Sequence, residues 1–344
     1  LLTDAVPQIT SRRVIPRQFG TALLIRSNPT DKETRNQEKR RSERRGEQFQ
    51  GSFSEMIYFK IYSIVRIVLV LLVTIPALAI FGLLFRKPGY KHDNTRRWVD
   101  YTKIASGLGG LAQTLQTLQQ IIFVAYFDDV RGWFEAYPAR DASFALGYIG
   151  SMLEAWATIA IFLALFYLAH ALTQLRTEGQ EDSSTYRKGR KVALGVSGFL
   201  FVLNLVTLCL ALATNFPADW NDHTWTMQLV ANCFSIVSAG TMIICAIGSV
   251  VYSAKSRKKA LGSPVQKAAA ILVVCSSLYL VRTAWYIVVF LYGFFGVFGI
   301  IDVVLGCWIP FAILVLLYFL ATKEDYSLSK THYRSRTVAD NQAA

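Results

Sequence analysis

The sequence predicts an all-α polytopic membrane protein, a seven-helix transmembrane bundle with its amino end outside or lumenal and its carboxyl end cytoplasmic. Three observations predict it. Of the 344 residues, 53% are hydrophobic and only 17% charged, where soluble domains run at about 45–50% and about 25%. The apolar residues come in long uncharged runs, several longer than the roughly 18 residues that mark a membrane-spanning helix. Finally, the basic residues gather in the short loops between those runs. These features exclude a soluble enzyme, a collagen-like chain and a disordered chain. The net charge of +13 reads as a topology signal rather than as a footprint for nucleic acid.

Residues 1–55 are polar and mixed in charge, with a basic stretch from Lys39 to Arg45. They read as a disordered basic tail that is dispensable to the bundle, and Met56 opens the first apolar region. Nothing there has the charged, then apolar, then small-residue order of a signal peptide. The spans follow at about 64–85, 102–126, 143–174, 192–214, 226–252, 268–291 and 296–321. The second is rich in Gly and Gln, yet no charge occurs between Lys103 and Asp128, a gap long enough to cross. The last two spans are joined by a few residues around Gly293 to Gly296, which predicts a tight hairpin. The seven-helix domain is thus 56–321, and 322–344 is a cytoplasmic tail.

Orientation follows from the positive residues. The loops at 86–103, 175–191 and 253–267 together with the tail from 322 hold twenty Lys and Arg, and the opposite loops hold only Arg131 and Arg140. That bias assigns the first set to the cytoplasm. One observation resists it. The amino tail carries eleven Lys and Arg, and Lys60 and Arg66 flank the first span on the outer side. Either that tail is absent from the mature protein, or the amino end is cytoplasmic and 102–126 does not cross.

The five cysteines, Cys209, Cys233, Cys245, Cys275 and Cys307, all fall inside apolar runs, and none forms a CxxC pair. The four histidines show no ligand spacing, and no N-x-Ser/Thr acceptor occurs. No metal site and no cofactor is expected.

Polar residues at membrane depth carry the functional reading, because a charge inside a span costs about 2.5–3.5 kcal/mol. Glu154, Arg282 and Asp302 lie at similar heights in the outer half of the third, sixth and seventh spans, so they are expected to meet. Gly150, Ser151, Ala157 and Thr158 share the face of Glu154, and Gly299 and Gly306 that of Asp302. The second span adds a polar stripe through Ser106, Gly109, Gln113, Gln116, Thr117 and Gln120, opposite a Leu face. Two acids around one arginine would leave one carboxyl without a full partner. Such a group in a low-dielectric pocket tends to stay protonated, which makes it a proton donor. The bland alternative is that Arg282 pairs with an acid only to neutralise charge and fix helix register. Aromatic residues, among them Trp156, Tyr279, Trp285 and Tyr286, concentrate toward the outer half, as an interfacial belt or as π faces beside an acid. On this reading Glu154, Asp302 and Arg282 are the candidate catalytic residues. Gln116, Gln120, Trp156, Asn232, Tyr279, Trp285 and Tyr286 are the candidate substrate contacts.

Seven spans with an outside amino end share the topology of G-protein-coupled receptors. However, the third span ends His170-Ala171-Leu172 without an acid-Arg-aromatic triplet, and Pro310 lacks a preceding Asn. No lysine lies between Ile300 and Leu320 to hold retinal, which excludes a microbial rhodopsin. The compact loops, tight last hairpin and basic tail resemble fungal seven-helix membrane proteins. In one such group, the lipid-translocating exporter-like proteins, a late span carries Arg-x-x-x-Arg-x-x-Glu; of that pattern only Arg282 matches here. In size, span number and intramembrane Glu154 and Asp302, the chain resembles the membrane-embedded terpene cyclases of meroterpenoid pathways. That resemblance implies acid-initiated cyclisation of a prenylated, lipid-soluble substrate in the endoplasmic reticulum, without metal or nucleotide. Glu154 or Asp302 would be the general acid, Arg282 would orient the acids or bind a polar head, and aromatics would shield the cation. A receptor-like protein and a lipid or small-molecule transporter are the alternatives. In each case the expected partners are membrane lipid and a hydrophobic small molecule, not nucleic acid.

Overall fold

The computed structural model describes residues 60–87, 94–126, 137–176, 184–216, 222–263, 265–292, 299–323 and 328. The tail reading of 1–55 lies outside them, as do the hairpin residues 293–298 and nearly all of the tail from 324.

Seven long helices make up the described chain. Helix α1 is Lys60–Phe85. A 3₁₀ turn, Asn94–Arg96, leads into α2, Arg97–Tyr126. Then come α3 (Tyr137–Arg176), α4 (Ser184–Asn215), α5 (Asp222–Lys259) and α6 (Gln266–Tyr292). Helix α7 is composite. It starts as Gly299–Val303, passes through a π-helical turn at Val304–Trp308, and continues as Ile309–Thr322. No strand occurs among the described residues. Helices α3, α4 and α5 overrun their apolar stretches by a turn or more, whereas α6 and α7 end close to theirs. At about 1.5 Å per residue, the 40-residue α3 is some 60 Å long, about twice the hydrocarbon thickness.

Six of the seven, α1 and α3–α7, are long and apolar enough to cross a membrane. They make the chain a multi-pass integral membrane protein. Helix α2 is not among the six, since its glycines, glutamines and threonines lower its hydropathy. Its faces are nonetheless strongly sorted. Ser106, Gln113 and Thr117 are buried, while Ile104, Leu111, Leu118 and Ile121 are exposed. Polar inside and apolar outside is the arrangement that a lipid surround favours.

Helix α3 is the axis of the bundle. Of its most apolar stretch 78% is buried, against 17–33% for the other five candidate spans. It packs most extensively along α2 and also touches α4, α5 and α6. Leu165, Leu168 and Leu172 of α3 join Leu200, Leu272 and Leu317 in a core with almost no exposure. The outward faces of α1, α4 and α5 carry exposed Val, Leu and Ile, as lipid-facing surfaces do.

Small residues set the helix spacing. A Cβ on Gly110 of α2 would lie 2.5 Å from Leu78 Cδ2 of α1, so any larger residue there must displace the Leu78 side chain. Gly198 of α4 has nothing within 4 Å of such a Cβ. Gly110→Val is therefore expected to cost about 1–3 kcal/mol through overpacking and to lower the thermal midpoint of the purified protein. Gly198→Ala should leave that midpoint unchanged or raise it.

Candidate functional site

Two acid–arginine pairs cross the interior of the bundle. Glu154 of α3 and Arg282 of α6 form a direct ion pair through Oε1 and Nη2. The other oxygen, Oε2, accepts a 2.8 Å hydrogen bond from Gln116 Nε2 of α2. Helix α3 can bring Glu154 this near to α2 because of Gly150, whose Cβ would stand 3.0 Å from Gln116 Cγ and 3.4 Å from the Ala112 carbonyl oxygen. Thr158 donates to the Glu154 carbonyl one turn on, and the Arg282 guanidinium carbon lies 5.8 Å from the centre of the Tyr286 ring. Arg282 is only 8% exposed, so its charge has been withdrawn from both water and lipid.

The second pair corrects the sequence reading. Asp302 does not share Arg282 as a direct partner. It stands 3.6 Å from Arg66 Nη2 of α1 and accepts a 3.1 Å hydrogen bond from Trp285 Nε1 of α6. Arg66, which looked like an orientation charge at the outer rim, is thus an ion-pair partner between α1 and α7. Asp302 remains within electrostatic reach of Arg282, and Tyr62 of α1 lies in the field of both Arg66 and Asp302. The expectation of two acids around a single arginine, with one carboxyl lacking a full partner, is therefore replaced. Each carboxylate has its own guanidinium, and each also accepts a neutral N–H donor.

The π turn of α7 adjoins this second pair. It brings Gly306 to within 3.5 Å of Asp302 Oδ1, measured from the Cβ that a larger residue would carry. It also lets Cys307 Sγ donate to Gln113 Oε1 of α2 at 3.1 Å. Five helices, α1, α2, α3, α6 and α7, are thereby tied at one level by side-chain polar contacts.

Beside the Glu154–Arg282 pair lies a cavity of about 410 Å³, toward the small end of the roughly 300–1,000 Å³ typical of small-molecule sites. Its polar wall comes from four helices: Ser151, Glu154 and Thr158 of α3, Asn204 of α4, Ser238 of α5 and Arg282 of α6. Ala239, Met242 and Val289 supply apolar surface, and the Tyr286 ring stands at the side. Asn204 Nδ2 donates to the Leu200 carbonyl at 2.7 Å and to Ser238 Oγ at 3.4 Å.

The other sequence-expected contacts fall in different places. Tyr286 lines the cavity. Gln116 holds Glu154 from behind, and Gln120, one turn further along α2, does not reach the cavity wall. Trp156 turns from the cavity to stack on Phe201 of α4 at 4.0 Å between ring centres. Tyr279 is fully buried behind Met242, donating to its Sδ at 3.8 Å. Trp285 serves Asp302, and Asn232 is exposed on the outer face of α5. Ser238 had not been singled out in the sequence. Its signal was available: like Asn204, it is a polar residue set in an apolar run.

Among the described residues no group of three or more His, Cys, Asp or Glu side chains gathers as a metal site would require. Comparison with protein-family models, with curated proteins and with solved structures finds no match. The class is thus defined by the chain itself: a multi-pass helical membrane protein with an ion pair in the wall of a largely apolar cavity.

Removing one member of a buried pair strands the other, at about 3–5 kcal/mol. Glu154→Gln and Arg282→Met should each lower the thermal midpoint sharply in detergent or nanodiscs. The double variant is expected to lose clearly less than the sum of the two. Additive losses would show that the pair is not coupled.

Proposed function

We propose that the protein receives a small, lipid-soluble molecule in the Glu154–Arg282 cavity and acts on it within the membrane. The observation that carries this reading is an ion pair set in the wall of a largely apolar cavity of about 410 Å³. Intramembrane charge is costly and usually functional, and sites of this kind form between helices of bundles. The reading takes all seven helices as spans. Its support is α2, with an apolar outer stripe and a polar inner one, and the twenty basic residues in the loops and tail assigned to the cytoplasm. An N-glycosylation acceptor engineered at 131–133 should then be modified, and one placed after Lys330 should not.

The chemistry we favour is acid-initiated cyclisation of a prenylated substrate in the endoplasmic reticulum, as the resemblance to membrane-embedded terpene cyclases implies. The Glu154 carboxyl and the Tyr286 ring share the cavity wall, a proton-transfer group beside a cation-stabilising face. Both carboxylate oxygens are engaged, so Gln116 would first have to release Oε2, with the ion pair to Arg282 kept. Glu154, protonated from the medium, then transfers that proton to an epoxide oxygen. The C–O bond opens, ring closure follows, and the final cation returns a proton to the carboxylate. The product is an isomer of the substrate. In microsomes given an epoxidised farnesyl phenol and compared at equal amounts of folded protein, Glu154→Gln should abolish the isomeric product. Full activity in both Glu154→Gln and Asp302→Asn would contradict acid chemistry at these residues.

A receptor-like role is the second reading, and the observation favouring it is the basic end of α5, with Arg257, Lys258 and Lys259 in its last turn. Replacing the basic residues of 255–259 would then impair signalling while leaving ligand affinity intact. A cyclase would be indifferent to that change.

A further inference from the structure

We propose that the cavity selects an uncharged molecule with a hydroxyl head, and that Asn204 and Ser238 are the residues that read it. This rests on the ligand-binding reading above and names the chemistry of its ligand.

The first argument is charge. The cavity wall holds one guanidinium and one carboxylate, paired with each other. The neighbouring Arg66 and Asp302 also balance. The described interior at this level has two positive and two negative side chains and no net charge to offset a ligand's own. A carboxylate or ammonium entering from lipid would have to break a pair to find a counter-ion, and would strand the charge it displaced. An uncharged head meets no such penalty.

The second argument is hydrogen-bond capacity. Both amide hydrogens of Asn204 are used, one on the Leu200 carbonyl and one on Ser238 Oγ. Its Oδ1 is left as an acceptor on a residue that lines the cavity. Ser238 Oγ accepts from Asn204, so its own hydrogen is available to donate. An acceptor and a donor therefore stand side by side on adjacent helices. The complementary group must donate to one and accept from the other, which a hydroxyl does. A ketone or ether can only accept and would leave Asn204 Oδ1 unmet; buried groups left without partners are costly. Thr158 and Thr283 do not compete, because their hydroxyls are committed to backbone carbonyls of their own helices.

The third is size. A cavity of about 410 Å³ suits one small amphiphile and not a phospholipid with two chains.

The test is native mass spectrometry of the full chain released from nanodiscs, with four farnesyl probes: farnesol, its methyl ether, farnesoic acid and farnesylamine. Farnesol should bind as a single adduct at least tenfold more tightly than the acid or the amine, and more tightly than the ether. Ser238→Ala combined with Asn204→Leu should remove the preference over the ether, bringing the alcohol to its level. Ala239→Trp, which fills the cavity, should abolish all four. Equal or tighter binding of a charged probe, or a preference for the alcohol over its ether that survives the double substitution, overturns the inference while leaving ligand binding in place. If no probe binds, or if Ala239→Trp leaves binding intact, both the inference and the cavity reading fail together.

Discussion

Charge placed inside hydrocarbon has to be answered by opposite charge at contact distance, and this constraint organises the interior of the bundle. Arg282 with Glu154, and Arg66 with Asp302, satisfy it twice over. Each pair joins helices distant in sequence, α3 to α6 and α1 to α7. The neutral donors Gln116 and Trp285 then occupy the carboxylate oxygens that the guanidiniums leave. Such pairs do little for net stability compared with apolar packing of equal volume, but they penalise any arrangement in which a partner is missing. Register and helix neighbourhood are therefore fixed more firmly than the uniform Leu and Val faces could fix them.

The cavity follows from the same constraint. Small residues near the Glu154–Arg282 pair, such as Ser151, Ala155 and Ala239, leave space where bulkier chains would have filled it. Asn204 and Ser238 keep part of that space polar. Gln116 and the glycine at 150 close α2 onto α3, whereas the cavity is lined by residues of α3, α4, α5 and α6 and none of α2. The pair is thus a partition between a tightly tied half of the bundle and a half with room for a guest.

Much of this was legible in the sequence, and the failures have a common cause. The apolar runs located the six apolar helices, and the period of the polar stripe oriented α2, because both depend only on local spacing. Equal depth and opposite charge brought Glu154 to Arg282. Depth says nothing, however, about which helix stands beside which. Asp302 was at a suitable height for Arg282 but faces α1. There it meets an arginine only a few residues into the span, which a count of basic residues assigned to the rim. The π turn at Val304–Trp308 also shifts the faces of α7 in a way that an ideal helical wheel cannot show. Trp156 and Asn232 point elsewhere than the cavity, a direction that spacing along one helix does not fix. Burial in a membrane bundle separates core from lipid, and both environments accept an aromatic ring.

The most direct test of the two-pair arrangement is a charge swap. Arg66→Asp and Asp302→Arg should each destabilise the protein, and the two together should restore a monodisperse species with most of the parent's thermal midpoint. Asp302→Arg combined with Arg282→Asp should not. Rescue by the Arg282 substitution instead, or single variants as stable as the parent, would contradict the assignment of one arginine to each acid.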